Sequence, residues 1–336
     1  MATAILIVSY RTPDDVADCL CAIDRLHDEN EYGVFIVENG GADAYVSLLE
    51  TIGELCAGVA GEPDAGLAET HCRSRHLRMR VFTLPLSGAT VRIAEANDNL
   101  GYAGGVNSWL ERLVGNARWD GFWILNPDTA PEPMALASLI AACAESGRGM
   151  AGSVILDFRS RGIIVSRGMR WLPWRSAAIS VDHGRPVSFP LCKPKAEIDA
   201  PSGASFYVTR ACLKTIGFMN EDYFLYFEDL EWGLRAKAAG LLCRADGSLV
   251  PHKYGSALGS AKRRGDRSTL SVYLDARNTL LFTKYNEPGF LPWAFIRSLL
   301  KILEFYTVGS IRNGAAAFAG VVAGVRGELG KPDWHK

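Results

Sequence analysis

The sequence predicts an α/β protein in which helices flank a central sheet. Short runs rich in β-branched residues alternate with a segment of helical periodicity at the start of the chain. Clusters of glycine, asparagine and acidic residues follow several of these runs directly. Alternating strands and helices favour a parallel sheet with right-handed connections. Functional groups in such sheets collect beyond the carboxyl ends of the strands, so the polar clusters are candidate site residues.

The predicted elements follow in a regular order up to residue 125. Strands are predicted at 4–9, 34–37, 80–84, 91–94 and 121–125. Helices are predicted within 13–27, where Val16, Leu20, Ile23 and Leu26 share a face, and at 105–113. The polar segment 54–80 is either a solvated surface insertion, the simpler interpretation, or a binding element. Segment 150–194, rich in Arg, Trp and Pro, is predicted to be a long connection with short strands and no chemistry.

Composition excludes several classes of function. The 336 residues carry 36 basic and 37 acidic side chains, a net charge of −1, so bulk electrostatics gives no reason to bind nucleic acid. With 48% hydrophobic residues the chain can bury a substantial core. The eight cysteines include no Cys-x-x-Cys, which argues against a zinc site and fits a reducing cytoplasm. The first residues lack the basic region of a signal peptide.

The segment after residue 286 is predicted to form amphipathic helices. Apolar residues surround a narrow polar strip of Arg297, Lys301 and Glu304. The longest run without charged or strongly polar residues, 314–325, is too short for a membrane span, which needs roughly 18 residues or more. Two arrangements stay open: the helices pack together as core, or they lie in a membrane interface with basic residues at the headgroups.

Two clusters carry carboxylates. Asp128, in Asn126-Pro127-Asp128 after an apolar run, is placed to offer an oxygen ligand to a hard divalent cation, although Asp after Pro is also common in turns. Glu228 and Asp229 lie among aromatic residues before a predicted helix. A carboxylate there, near the positive helix end and shielded from water, could take a proton from a sugar hydroxyl; ordinary helix capping is the alternative.

Two further clusters suit a phosphate-bearing ligand. Residues 97–107 hold three glycines and three asparagines before a helix, which allows close backbone approach to a ligand. They do not match G-x-G-x-x-G, which argues against a nicotinamide-dependent dehydrogenase. His252 follows a strand-like stretch, but a lone histidine is more often a surface or core residue than a ligand. The basic loop around Arg263 is either a solvated charge run or a phosphate-capturing lid.

Taken in order, these clusters resemble family 2 glycosyltransferases with the GT-A fold, particularly bacterial rhamnosyltransferase-like members that build surface polysaccharides. The resembling segments are 7–10, 37–40, 99–107, 125–128, 202–204, 217–229 and 273–278. They extend from the first strand to about Tyr285. The resemblance implies a Rossmann-like mixed central sheet flanked by helices, with a C-terminal helical extension. Residues 1–285 would form the glycosyltransferase domain, with a nucleotide-binding half at 1–130 and an acceptor and catalytic half at 195–260. Residues 286–336 would form the amphipathic helices.

The resemblance also implies roles for single residues. Asp229 would be the general base of an inverting transfer, and Asp128 and His252 would hold a divalent cation, Mg²⁺ or Mn²⁺. Residues implied in binding the nucleotide-diphosphate sugar are Ser9, Tyr10, Glu38, Asn99, Gly101, Tyr102, Gly105, Asn107, Asn126, Gly203, Ala204, Glu228 and Arg263. Glu38 stands where the family usually has an Asp that contacts the nucleobase.

The resemblance implies partners as well. The donor would be a dTDP- or UDP-sugar carrying rhamnose or a similar sugar, and the acceptor a hydroxyl of a glycan or polyprenyl-linked oligosaccharide. The enzyme would be cytoplasmic, with the C-terminal helices providing peripheral contact with the inner face of the membrane or a homodimer interface. A non-catalytic nucleotide-sugar-binding protein of the same fold is the alternative, and the intact Glu228-Asp229 pair argues against it.

Overall fold

The computed structural model describes residues 1–27, 30–56, 59–60, 75–188, 198–253, 267–307 and 309–333. The strands are β1 (Ala2–Ser9), β2 (Glu31–Glu38), β3 (Val59–Ala60), β4 (His76–Thr83), β5 (Thr90–Ala96), β6 (Gly121–Leu125), β7 (Met150–Asp157), β8 (Ile164–Ser166), β9 (Met169–Leu172), β10 (Ala177–Ser180), β11 (Ser205–Thr209) and β12 (Leu242–His252). The helices are α1 (Pro13–Ile23), α2 (Ala42–Leu55), α3 (Gly101–Leu113), α4 (Ala135–Ser146), α5 (Arg210–Ile216), α6 (Glu228–Ala238), α7 (Thr269–Asn286), α8 (Leu291–Thr307) and α9 (Ile311–Arg326).

One mixed sheet organises the fold. Its strand order is β12-β7-β11-β6-β1-β2-β5-β4-β3, with β8 paired to β7, while β9 and β10 form a separate hairpin. Strands β6, β1, β2 and β5 run parallel to one another, and β7 and β12 are also a parallel pair. Because β11 is antiparallel to both β6 and β7, all six of these strands end at the same edge of the sheet. We call it the carboxyl edge.

Helices cover both faces of the sheet. On one face, Val16 and Leu20 of α1, Leu48 of α2 and Leu136 of α4 are buried against the strands. On the other face, a second buried cluster includes Trp109 of α3 and Trp232 of α6. Sheets covered on both faces are typical of α/β proteins with parallel strands.

The structure extends and corrects the predicted elements. Helix α3 begins at Gly101, four residues before the predicted start at 105. The larger correction is β7, an eight-residue strand of the central sheet in a segment predicted to be an irregular connection. It is buried along nearly its whole length, and strands buried on both faces lack the polar-apolar alternation by which strands are recognised. Of segment 54–80, residues 59–60 pair with β4, while 57–58 and 61–74 lie outside the described residues.

The C-terminal helices pack through their inner faces. Val272 of α7, Ile302 and Phe305 of α8 and Val321 of α9 share a buried cluster. Helix α9 lies directly on the α7 backbone, since a β-carbon on Gly320 would be 2.3 Å from the carbonyl oxygen of Tyr273. The outer side of α8 instead exposes apolar side chains, namely Trp293, Phe295, Ile296, Leu299, Leu300, Leu303 and Tyr306. Among the described helices, none has the length and apolar character needed to cross a bilayer.

Candidate active site

Three adjoining cavities lie along the carboxyl edge. The first, about 460 Å³, is bounded by Tyr10 and Arg11 after β1, Asn39 after β2, and the loop 97–99 after β5. The second, about 490 Å³, shares Tyr10, Asn39 and Asn99 with the first and adds Gly101, Asp128 and His252. The third, about 420 Å³, shares Tyr102, Asn126 and His252 with the second and adds Gly203, Ala204, Glu228 and Asp229. The order of shared walls makes the three cavities one continuous row.

Asp128 and His252 meet in the middle of this row. Asp128 follows strand β6, and His252 is the last residue of β12. Both side chains are almost fully buried. The distance from Nε2 of His252 to Oδ1 of Asp128 is 2.8 Å. The backbone also joins these segments, because the Lys253 N–H donates to the Asp128 carbonyl oxygen at 2.9 Å. Two residues 124 positions apart in sequence are therefore held as a pair.

The groups around this pair fit a divalent cation. Asn126 Oδ1 is buried and has no hydrogen-bond partner among the described residues. Asn126, Asp128 and His252 line the second cavity together, and these donor types suit Mn²⁺, although Nε2 of His252 and Oδ1 of Asp128 are engaged with each other. Within the part of the chain that the structure describes, no group of three or more His, Cys, Asp or Glu side chains converges on a metal position. A cation at this position would therefore need further ligands from a bound molecule.

Asp229 lies at the far end of the row, in the third cavity. Helix α6 begins at Glu228, so both acids stand in its first turn, near the positive end of the helix. Asp229 Oδ1 accepts from the Leu230 N–H at 2.8 Å. Burial raises the pKa of Asp229, while hydrogen bonds from backbone N–H groups, including that of Gly203, act in the opposite direction.

Glu228 is more strongly affected by burial. Its side chain is about 3% exposed, and Oε2 has no hydrogen-bond partner within the described residues. Burial, and then the charge of Asp229, raise the pKa of Glu228 to about 8. Adjacent carboxyl groups in a site of low polarity hold a proton between them. Burial and the mutual repulsion of the two charges therefore favour one proton shared by the pair near neutral pH.

The loop before Glu228 is strained. Phe224, Tyr226 and Phe227 have φ values of 63°, 70° and 78°, a region that bulky residues rarely adopt. Buried groups on α7 hold the loop in place. Nδ2 of Asn278 lies within 3.0 Å of the carbonyl oxygens of Tyr223, Leu225 and Tyr226. Arg277 Nη2 donates to the same Tyr223 carbonyl at 2.9 Å. Segment 273–278, which carries part of the family resemblance, therefore supports the loop that leads to the acidic pair.

Residues 97–102, at the start of α3, join the carboxyl edge to the strained loop 223–227, which we call the aromatic loop. Gly101 has a φ of 70°, and a β-carbon there would be 2.2 Å from the Phe224 carbonyl oxygen. The next residue, Tyr102, donates its N–H to that oxygen at 2.8 Å and its hydroxyl to the Gly203 carbonyl at 2.8 Å. Burial and the neighbouring acids raise the pKa of Tyr102 well above its ordinary value. Tyr102 remains a neutral hydrogen-bonding wall between the second and third cavities.

Four other predicted site residues make their contacts with neighbouring groups of the protein itself. The Ser9 hydroxyl donates to Glu38 at 2.5 Å, and the N–H groups of Arg11 and Gly40 donate to the other Glu38 oxygen. Glu38 is fully buried, and its carboxylate is saturated by these partners. Asn107 bonds the backbone of Met219, and Gly105 packs against Val8. These residues therefore support the walls of the cavities through contacts within the protein.

Several wall residues were not predicted. Met169, Ser176, Ala177 and Ala178 of the β9–β10 hairpin line the third cavity, although segment 150–194 was assigned no chemistry. Arg267, which precedes α7, lines the same cavity with Asp275 and Thr279 of α7 and Lys301 of α8. Nothing local in the sequence marks these positions, because helix packing alone brings them to the acidic pair. The predicted site residue Arg263 lies outside the described residues.

The chain is similar to known proteins in sequence and in fold. No protein-family model matches the chain. The low-salt glycan biosynthesis hexosyltransferase Agl10 of Haloferax volcanii is 22% identical over 257 residues, which cover 72% of this chain and 78% of Agl10. Two solved structures align over most of both chains with a TM-score of 0.53. Staphylococcus aureus TarS 1–349 with UDP-GlcNAc is 11% identical, covering 98% of this chain and 82% of its own. The mannosyltransferase PcManGT of Pyrobaculum calidifontis with GDP-Man and Mn²⁺ is 13% identical, covering 96% and 86%.

A third structure, GalNAc-T7 with UDP, GalNAc and Mn²⁺, aligns with a TM-score of 0.56 and 13% identity over 84% of this chain but 48% of its own. At these identities the similarities show the fold. They confirm the predicted class, the GT-A arrangement of a central mixed sheet flanked by helices.

Proposed function

We propose that this chain is a glycosyltransferase that moves a hexose from a nucleotide-diphosphate donor to an acceptor hydroxyl. The observation that carries the proposal is the row of three cavities, with the Asp128–His252 pair in the middle and the Glu228–Asp229 pair at one end. The sequence similarity to a hexosyltransferase and the nucleotide sugars bound to the structural neighbours support the same activity. The nucleoside would lie in the first cavity, the diphosphate in the second and the sugar in the third.

The reaction would invert the anomeric centre. Asp229 would accept the proton of the incoming hydroxyl as that oxygen attacks the anomeric carbon and the bond to the nucleoside diphosphate breaks. With one proton shared by the pair, one carboxylate stays ionised: Asp229 would act as the base, and Glu228 in its protonated form would donate to a sugar oxygen. The aromatic loop and the Tyr102 ring limit access of bulk water to this step.

Asn126, Asp128 and His252 would hold Mn²⁺ or Mg²⁺, and a cation there would neutralise charge on the leaving diphosphate. Glu38 would act by fixing residues 9–11 and 38–40 around the first cavity, since its carboxylate already has three partners. A direct nucleobase contact from Glu38 would require one of these bonds to be exchanged. The donor we favour is a dTDP- or UDP-sugar carrying rhamnose or a related hexose.

Release of nucleoside diphosphate tests the activity directly. Purified protein with Mn²⁺ should release it from at least one member of a panel of dTDP-, UDP- and GDP-sugars. Asp229→Asn should lower turnover by about 10²- to 10⁴-fold and leave nucleotide affinity unchanged. Glu231→Gln is the matched control, because Glu231 lies on the same helix turn but pairs with Arg235. Nucleotide-sugar binding without turnover by the unmodified chain would instead favour a non-catalytic binding protein.

The acceptor we propose is a glycan carried on a polyprenyl lipid, used at the inner face of the cytoplasmic membrane. The exposed apolar side of α8 supports this, together with its neighbour Trp174, which is 59% exposed and accepts a hydrogen bond from the Trp293 indole at 2.7 Å. Tryptophans beside an apolar helix face are typical of membrane interfaces. Lys301 of α8 reaches from this helix into the third cavity. An acceptor head group could therefore extend from the membrane surface to Asp229.

Flotation with anionic liposomes tests the membrane contact. The unmodified chain should float with the vesicles, and Leu300→Glu with Leu303→Glu should remain in the soluble fraction, because both leucines are at least half exposed. Leu86→Glu is the control, since Leu86 is 71% exposed but lies far from α8 in sequence, between β4 and β5. Equal recovery of all three proteins in the soluble fraction would refute membrane contact. A concentration-dependent dimer lost in the double variant would assign the face to self-association.

A further inference from the structure

The segment after α9 returns to the first cavity. Lys331 and Pro332 form part of its wall, although more than 200 residues separate them from the loops after β1, β2 and β5 that also bound it. The Lys331 ammonium lies 2.6 Å from Oδ1 of Asp98, in the loop after β5. The Lys331 side chain is 23% exposed and that of Asp98 66% exposed, so the pair stands at the mouth of the cavity.

Backbone contacts anchor the segment on both sides of the turn. Gly327, with a φ of 74°, ends α9 in a left-handed cap and redirects the chain. The Gly330 N–H then donates to the Asp222 carbonyl oxygen at 2.7 Å. Arg277, whose side chain is 1% exposed, donates to the Gly330 carbonyl at 2.7 Å and to the Tyr223 carbonyl at 2.9 Å. Lys331 is thus held in position by the same buried arginine that supports the aromatic loop.

The contact between Lys331 and Asp98 changes the balance of charge around the first cavity. Glu95 and Asp98 both line the cavity, and a nucleoside diphosphate is itself anionic. Glu95 is neutralised by an ion pair with Arg78. Asp98 Oδ1 accepts from the Asn99 N–H at 2.7 Å, which shapes the loop without cancelling its charge. Lys331 places a positive charge beside this carboxylate, so its removal would leave more negative charge facing the anionic ligand.

We propose that Lys331 is a positioning residue of the nucleotide site, whose ammonium neutralises Asp98 so that the first cavity accepts the anionic nucleotide. This inference rests on the proposed function, because it takes the first cavity to be the nucleoside end of the donor site. It adds the segment 327–333 to that site and assigns it a role in affinity for the nucleotide, not in the chemical step.

Calorimetric titration of the full chain with UDP, dTDP and GDP tests the inference, with no sugar or acceptor present. Lys331→Ala should raise the Kd of the nucleotide that binds best by about three- to fivefold at low salt, as expected for a partly exposed ion pair. The increase should shrink as ionic strength rises. Lys214→Ala, which removes an exposed lysine on α5, should leave the Kd unchanged.

A double-mutant cycle separates neutralisation of Asp98 from a general structural role. In an Asp98→Asn background, Lys331→Ala should have little or no effect, because no charge is left to neutralise. An unchanged Kd for Lys331→Ala, or the same loss in both backgrounds, would overturn the inference and leave the proposed function standing. Failure of the unmodified chain to bind any of the three nucleotides would overturn both.

Discussion

Gly203→Ala tests whether Asp229 must occupy its observed position for turnover. A β-carbon on Gly203 would lie 2.4 Å from Oδ2 and 3.1 Å from Cγ of Asp229. Restoring ordinary contact at 3.4 Å requires the carboxylate to retreat by about 1 Å. Asp229 is a short side chain whose Oδ1 is bonded to the Leu230 N–H, so it cannot retreat without changing its orientation. A displacement of this size costs about 100-fold in rate, or about 3 kcal/mol of transition-state stabilisation.

The assay compares turnover with affinity. Release of nucleoside diphosphate from the preferred sugar donor should fall about 100-fold in Gly203→Ala, while calorimetry with the nucleoside diphosphate alone should give an unchanged Kd, because Gly203 lines the third cavity and not the first two. Gly115→Ala is the matched control, since a β-carbon there meets nothing within 4 Å. A Gly203→Ala protein with near-normal turnover would refute the placement of the base.

Three further changes probe other parts of the structure. Asp128→Ala should abolish any gain in nucleotide affinity that Mn²⁺ provides and leave binding without metal unchanged, as measured by calorimetry with and without Mn²⁺; an equal loss in both conditions would contradict a metal role. Asn278→Ala removes one donor from three loop carbonyls, of which that of Tyr223 keeps Arg277, and should lower the free energy of unfolding by about 1–3 kcal/mol, with a larger proportional loss in kcat than in nucleotide affinity, as followed by urea titration and kinetics. His76 is buried, and burial and then Arg112 lower its pKa to about 3. The unfolded chain therefore binds a proton below pH 6.5 that the folded chain does not. Stability from this group is complete above pH 6.5, is reduced by about 2 kcal/mol at pH 5 and is lost further toward pH 3. His76→Gln should flatten that slope between pH 7 and pH 5 in urea titrations.

Local sequence patterns predicted the part of the fold that brings the cavities together. Polar residues after β2, β5 and β6 indicated a common edge, and the structure places these strand ends at one edge of the sheet. The inference works because parallel strands share a direction, so that position within an apolar run translates into position on the sheet. The pairing of Asp128 with His252 depended on the resemblance, since the two are 124 residues apart and each alone is ambiguous.

The remaining contacts depend on packing that no local pattern records. Strand β7 lacks alternation, and the β9–β10 hairpin reaches the third cavity only because the segment folds back over it. The contact of Lys331 with Asp98 joins positions 233 residues apart. Glu38 shows the complementary difficulty, because its place at a strand end suggested a ligand contact whereas its carboxylate is satisfied by its own neighbours. Sequence indicates which residues reach the edge, but not which way each side chain turns there.

The strained aromatic loop explains why the helices after residue 267 belong to the candidate catalytic apparatus. Each of the three aromatic residues with positive φ costs on the order of 1–3 kcal/mol, and such strain persists only when the surroundings compensate for it. The compensation comes from Arg277 and Asn278, whose side chains are buried and bonded to the loop carbonyls. Helix α9 packs on the backbone of that same α7 helix through Gly320 and Gly324. A change in this packing should therefore let the strained loop relax and shift the start of α6, where Glu228 and Asp229 lie.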